Sequence, residues 1–240
     1  MKKLIAYITT AYPDKNFTIE LIEALQNNGV DAIELGIPFS DPVADGPVIQ
    51  EINKRALENG YKIKDTFEVS EKTAKNIDIY WMGYFNNFYH KGYDFMTQKA
   101  KEYDVKGFII PDLPYEEAIE YEEKFPLISF VAPTDSKERI KEILKNPKEF
   151  IYMVAYAGIT GAEKKEDLSE IIKTVKEITN TPLYIGFGVN EKTAREKAKG
   201  VDGVIVGSAF VKVLLEDIPN SEKIKKICKK AKIIKEEINS

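Results

Sequence analysis

Residues 4–36 read LIAYITTAYPDKNFTIELIEALQNNGVDAIELG: an apolar run, a charged stretch with helical spacing, then a second apolar run. Residues 4–10, Leu, Ile, Ala, Tyr and Thr with no charged residue among them, suit a strand buried on both faces. The segment up to Gly29 places its apolar residues three and four apart, with Asn16 or Thr18 as the expected N-cap. Residues 32–36 repeat the strand character, so the unit is strand, helix, strand. The same alternation continues through residues 77–84, 107–111, 127–132, 150–155, 183–186 and 203–206, with Asp135 or Ser136 expected to cap a further helix that runs to Asn146 and Pro147. Eight strands of this kind, separated by helices, predict parallel pairing and closure into a (β/α)8 barrel. A chain of 240 residues is close to the roughly 250 that eight such units require. No linker or low-complexity segment divides it, so residues 1–240 are expected to form one domain.

Composition narrows the function classes. With 35 basic and 39 acidic residues interspersed, the net charge of -4 leaves no electrostatic footprint for nucleic acid. Hydrophobic residues at 43% are enough for a substantial core, yet no apolar run approaches a membrane span. The Lys-rich stretch 221–235 has Ile at helical spacing and reads as an amphipathic closing helix. The one cysteine, Cys228, allows no intrachain disulfide, and Met1 leads straight into a strand, so a cytoplasmic location is expected. His90, the only histidine, sits in an expected loop, which argues against a Ser-His-Asp triad or a multi-histidine metal site. No metal is expected.

In a barrel of this kind, chemistry belongs to the loops at the C-terminal ends of the strands. The loop after the second strand, residues 34–47 (ELGIPFSDPVADGP), is rich in acid, Pro and Gly. Strand alternation points Glu34 into the barrel if Ile33 and Leu35 point outward. Burial raises a carboxyl pKa, which suits a group that exchanges protons near neutral pH; a structural Glu paired with a Lys is the alternative. Asp45 before Gly46 reads on its own as a turn former or helix cap, as does Asp41 before Pro42. Its company with Glu34 on one loop makes it the second candidate, because two carboxylates in different environments can divide proton transfer and charge stabilisation. Glycine-rich turns follow the last three strands: 158–161 (GITG), 186–188 (GFG) and 207–208 (GS). Glycine lets backbone N–H groups approach an anion, and a short helix starting at Ser208 favours negative charge, so a phosphate site is expected there. Tyr7, Tyr84, Tyr152 and Phe187 fall in or just after strands, as a flat apolar pocket or as ordinary barrel packing.

The run 34–47 followed by Ile49-Gln50, with 158–163 (GITGAE), 186–189 (GFGV) and 207–212 (GSAFVK), closely resembles the tryptophan synthase α chain family, and strand order and spacing agree along the chain. The resemblance implies retro-aldol cleavage of indole-3-glycerol phosphate to indole and glyceraldehyde 3-phosphate. Glu34 matches the family's general acid/base and Asp45 the carboxylate that accepts a hydrogen bond from the indole N–H. It implies phosphate contacts from Gly161, Gly188, Gly207 and Ser208, and an indole and propyl pocket of Tyr7, Met82, Tyr84, Ile109, Tyr152 and Phe187. Thr160 matches the residue through which a sixth loop closes on Asp45. No cofactor is implied in this chain; pyridoxal phosphate belongs to a β-chain partner in an α2β2 complex, contacted near residues 38–41 and Asp112. Three departures stand out: no helix before the first strand, Thr9-Thr10-Ala11-Tyr12-Pro13 after it, and Ala155-Tyr156-Ala157 before GITG. The first leaves the barrel bottom less covered. Two rivals remain at this stage: another phosphate-binding barrel enzyme of the same pathway, and a catalytically silent subunit that only activates a partner.

Overall fold

A computed structural model describes residues 1–154 and 168–240. In chain order the elements are β1 (Lys3–Thr9), α1 (Lys15–Gln26), β2 (Ala32–Gly36), α2 (Pro47–Glu58), α3 (Ile63–Thr73), β3 (Asp78–Met82), α4 (Phe85–Lys91), α5 (Tyr93–Glu102) and β4 (Gly107–Ile109). There follow α6 (Tyr115–Glu122), β5 (Ser129–Val131), α7 (Lys137–Ile143), β6 (Ile151–Met153), α8 (Ser169–Ile178), β7 (Leu183–Ile185), α9 (Ala194–Lys197), β8 (Gly203–Val206), α10 (Ser208–Leu214) and α11 (Asn220–Ile238).

All eight expected strands are present, parallel, in the order β4-β3-β2-β1-β8-β7-β6-β5. The two ends of that order meet at a parallel bridge between Phe108 and Leu127, with Phe108 N donating to Pro126 O and Ile128 N to Phe108 O, both at 2.9 Å. The sheet therefore curls on itself as a (β/α)8 barrel. β2 is buried at every position because one face lines the interior while Ile33 and Leu35 pack under the helices. α1 buries Phe17, Leu21, Ile22 and Leu25 on one stripe.

Local details correct the sequence reading in two places. α1 is capped by Asp14, whose side chain accepts from Asn16 N and Phe17 N, not by Asn16 or Thr18; Thr18 instead donates to Asp14 O and accepts from Ala11 N. His90 stands in the last turn of α4 rather than in a loop, because the Asn87 side chain accepts from Tyr84 N and starts a helix there. The α7 cap is Ser136, accepting from Arg139 N at 3.1 Å, while Asp135 ties back to Ala132 N.

The start of β1 is held by the end of the chain. Lys2 N donates to Asn239 Oδ1 at 2.7 Å and Lys235 Nζ to Lys2 O at 2.9 Å, while Asp31 pairs with both Lys3 and Lys235 and accepts from Leu4 N at 2.7 Å. α11, amphipathic as expected, buries Ile227, Ala231, Ile234 and Ile238 against the barrel. No helix among the described residues is long and apolar enough to cross a membrane.

Candidate active site

The residues at the C-terminal ends of the strands surround a cavity of about 690 Å³, within the size usual for small-molecule sites. Glu34 rises into it from the middle of β2, on the face opposite Ile33 and Leu35, and is 3% exposed. Burial, and then the charge of Asp45, push its carboxyl up to about 8. No cation among the described residues pairs with it, as the alternative of a structural Glu–Lys pair would require.

Asp45 comes from the β2–α2 loop. Its backbone N–H bonds Pro42 O at 3.0 Å and its carbonyl accepts from the Gln50 side chain at 2.8 Å, which folds the loop back over the cavity. Tyr84, just past β3, donates to Asp45 Oδ2 at 2.9 Å and accepts from Ala44 N at 2.9 Å. Phe39 stacks on the Tyr84 ring at 5.1 Å, with its own N–H held by Asn53 of α2. Burial raises the Asp45 carboxyl to about 6, and the Tyr84 hydrogen bond pulls against that rise. The two carboxyls are thus held at different proton affinities on one cavity, so near neutral pH Glu34 carries a proton and Asp45 is mostly ionised.

Of the other expected residues, Tyr7, Met82, Ile109, Tyr152, Phe187, Gly188, Gly207 and Ser208 line the same cavity. Tyr84 does not line it; its hydroxyl donates to Asp45, which does. Thr160, Gly161 and the turn 158–161, with Ala155-Tyr156-Ala157, lie outside the described residues. Two glycines make room for aromatic rings: a Cβ at Gly36 would stand 2.6 Å from Tyr7 Oη, and one at Gly186 2.2 Å from the Tyr152 ring. Gly188 has φ +68, a left-handed conformation that L side chains seldom adopt. Gly207 leads into α10: Phe210 N and Val211 N bond Gly207 O, while Ser208 and Ala209, whose N–H groups precede the first intrahelical bond, line this end of the cavity.

No expectation from sequence placed Phe130, Ile49 and Ile205 at the cavity, which they also line. Phe130 stacks on Tyr152 at 5.0 Å; as an aromatic in an expected strand it carried the same signal as Tyr152. Ile49 follows the acidic loop in sequence, and only the folding of α2 against β1 brings it in. In the departing first loop, Thr10 bonds Gly36 O through both its N–H and its hydroxyl, at 2.9 and 2.7 Å, anchoring this loop to the end of β2.

Residues 1–239 match the family model described as tryptophan synthase alpha chain. A tryptophan synthase alpha chain of Wolinella succinogenes is 53% identical over 247 aligned residues, covering 100% of this chain and 97% of that one. The alpha chain of Thermotoga petrophila is 39% identical, covering 97% and 98%. A solved structure described as the tryptophan synthase α2β2 complex from Pyrococcus furiosus superposes with a TM-score of 0.86 at 33% identity, covering 98% of this chain and 99% of that chain. These matches set aside the rival phosphate-binding barrel enzyme. Similarity at this level along nearly the whole length, on a barrel of the same shape, makes this chain a member of the tryptophan synthase alpha chain family.

Proposed function

We propose that this protein cleaves indole-3-glycerol phosphate to indole and glyceraldehyde 3-phosphate with Glu34 and Asp45 as its working carboxylates, and hands indole to a tryptophan synthase beta chain. Its family makes it a carbon–carbon lyase of tryptophan biosynthesis. The observation that carries the reading is the pair of carboxyls on one cavity, one held near pKa 8 and the other near 6.

Protonated Glu34 delivers its proton to C3 of the indole ring, which breaks the ring's aromaticity and places positive charge on the ring nitrogen. Ionised Asp45, oriented by Tyr84, accepts the indole N–H and stabilises that charge. The Glu34 carboxylate then takes the proton from the side-chain hydroxyl as the bond from C3 to the side-chain carbon breaks. That bond's electron pair returns to the ring, the oxygen becomes the aldehyde carbonyl, and Glu34 ends protonated as it began. The scheme uses no cofactor of this chain; pyridoxal phosphate is assigned to the beta chain alone.

The phosphate is assigned to Gly188, Gly207 and Ser208, where backbone N–H groups and the start of α10 favour an anion. The ring and propyl chain are assigned to Tyr7, Met82, Ile109, Tyr152 and Phe187. The beta chain is placed against the outer part of the β2–α2 loop, where Ser40 and Asp41 are exposed and Val43 is 80% exposed, and near exposed Asp112. Pro38 is buried in the isolated chain and contributes only through the loop's shape. The working unit is taken as the whole chain, 1–240, folded as one domain and acting in the cytoplasm as part of an α2β2 assembly.

Indole release from indole-3-glycerol phosphate, measured for the wild type and Glu34→Gln with and without a beta chain, tests the reading. Release that is lost in the variant and enhanced by the beta chain supports it. Absence of release from the wild type under every condition, with substrate still bound, would instead establish the silent-subunit alternative.

A further inference from the structure

Three tyrosines stand near the two carboxyls, and their hydroxyl protons have different fates. Tyr84 spends its proton on Asp45 Oδ2. Tyr152 stacks on Phe130, and no partner among the described residues orients its hydroxyl. Tyr7 differs from both. It lies on β1 directly opposite Glu34 in the β1–β2 register, with its ring running over the bare Cα of Gly36 toward Thr9. Thr9 Oγ1 donates to Tyr7 Oη at 3.2 Å, occupying a lone pair and fixing the phenol's rotation. The Asn53 side chain also acts on the Tyr7 hydroxyl, as a donor that lowers its pKa; no group among the described residues accepts the Tyr7 proton, although the residue is only 5% exposed and lines the cavity beside Glu34. A buried donor without an acceptor is costly, and the fold meets that cost at considerable constraint: glycine at 36 and a hydroxyl at 9.

Resting on the reaction proposed above, we propose that the Tyr7 hydroxyl is a third catalytic group, donating a hydrogen bond to the oxygen of the substrate's reacting hydroxyl and turning that hydroxyl's own proton toward Glu34. Tyr7 serves the oxygen and Glu34 the proton, so one carboxyl can deliver to C3 and collect from the neighbouring hydroxyl without the side chain rotating away. As the aldehyde forms, the Tyr7 bond passes to its carbonyl oxygen. The phenol keeps its proton throughout, because the environment opposes a phenolate: burial and the charges of Asp45 and Glu34 all raise its pKa.

The test uses the full chain with its beta chain and two probes: indole-3-glycerol phosphate, and its analogue with CH2 in place of CHOH at the reacting carbon. Tyr7→Phe keeps the ring and removes only the hydroxyl. The expected result is a kcat for indole release lowered roughly three- to tenfold or more, with affinity for the deoxy analogue unchanged. Thr9→Val should lower kcat by a smaller factor, and should add nothing in the Tyr7→Phe background, because it acts only through the phenol. Wild-type kcat in Tyr7→Phe would overturn the proposal. So would equal weakening of substrate and deoxy analogue, which would mean that Tyr7 only shapes the pocket. Absence of indole release from the wild type would instead strike the underlying reaction, so the two failures are separable.

Discussion

Tyr84 donates its phenolic proton to Asp45 Oδ2 at 2.9 Å and, through the same oxygen, accepts the Ala44 N–H at 2.9 Å. One hydroxyl thus bolts the β2–α2 loop to the end of β3, orients Asp45 and holds its proton affinity below what burial alone would give. Removing it in Tyr84→Phe takes away the interaction that pulls the Asp45 carboxyl down. The acidic limb of kcat/KM, expected near pH 6 in the wild type, should move toward neutrality, with turnover at pH 7 lowered roughly three- to tenfold. Asp45→Asn should lose far more, since it removes the charge itself. An acidic limb that stays in place in Tyr84→Phe would dissociate Asp45 from that titration.

Glu34 links catalysis to stability in a way that a pH series reads directly. Its carboxyl is raised from the ordinary 4.5 to about 8 on folding, so between those values the folded state holds a proton that the unfolded state has lost. Stability from this group is complete below pH 4.5, declines as pH rises, and is gone above 8. Glu34→Gln is neutral at every pH. It should match the wild type near pH 4 and exceed it by on the order of 5 kcal/mol at pH 9, roughly 10–20 °C in melting temperature. The same substitution should abolish indole release while leaving substrate affinity largely intact. A variant less stable than the wild type at pH 9 would show that Glu34 is a structural ion.

Gly186→Ala probes the close approach at the end of β7. The new Cβ would fall 2.2 Å from the Tyr152 ring, which must then move from its stack on Phe130. The expected cost is about 1–3 kcal/mol of stability, with a raised KM because the displaced ring intrudes on the pocket. Denaturant melts and steady-state kinetics on the same preparation measure both, and wild-type values in each would contradict the geometry.

Asp31 should matter for stability alone. It accepts from Leu4 N and pairs with Lys3 and Lys235 at the end of the barrel opposite the cavity. Asp31→Ala leaves the Leu4 N–H without its acceptor and the part-buried Lys235 ammonium with Lys2 O but no carboxylate, which should cost about 1–3 kcal/mol and lower the melting temperature by roughly 2–12 °C. Indole release measured well below that temperature should be unchanged; a fall in kcat would mean that this end communicates with the site.

Much of the fold was legible because strands buried on both faces are locally written as apolar runs. β2 and β8 occupy the residues expected of them, and the other six lie inside or within one residue of the expected segments. They are shorter where the ladder ends: residues 127–132 keep strand pairing only at Ser129–Val131, with Leu127 reduced to the single bridge that closes the barrel. Helix caps were less legible. Asp14, Asn16 and Thr18 all have side chains able to cap, and the choice of Asp14 depends on the path of the loop from Thr10, which bonds the end of β2.

By itself, the sequence determined the barrel, the inward face of Glu34 and the glycine-marked end of the cavity, since each depends on period, residue type or neighbours within a few positions. Only the tertiary structure decided what those groups do. The proton affinity of Glu34 requires the surrounding strands to exclude water and Asp45 to stand nearby. Asp45 is distinguished from an ordinary turn former by a tyrosine 39 residues away. Tyr7, one aromatic among several in the sequence, gains an oriented hydroxyl because Thr9 and the missing side chain of Gly36 meet it in space. Electrostatics and hydrogen-bond geometry act through distance, and distance between remote residues exists only once the barrel has closed.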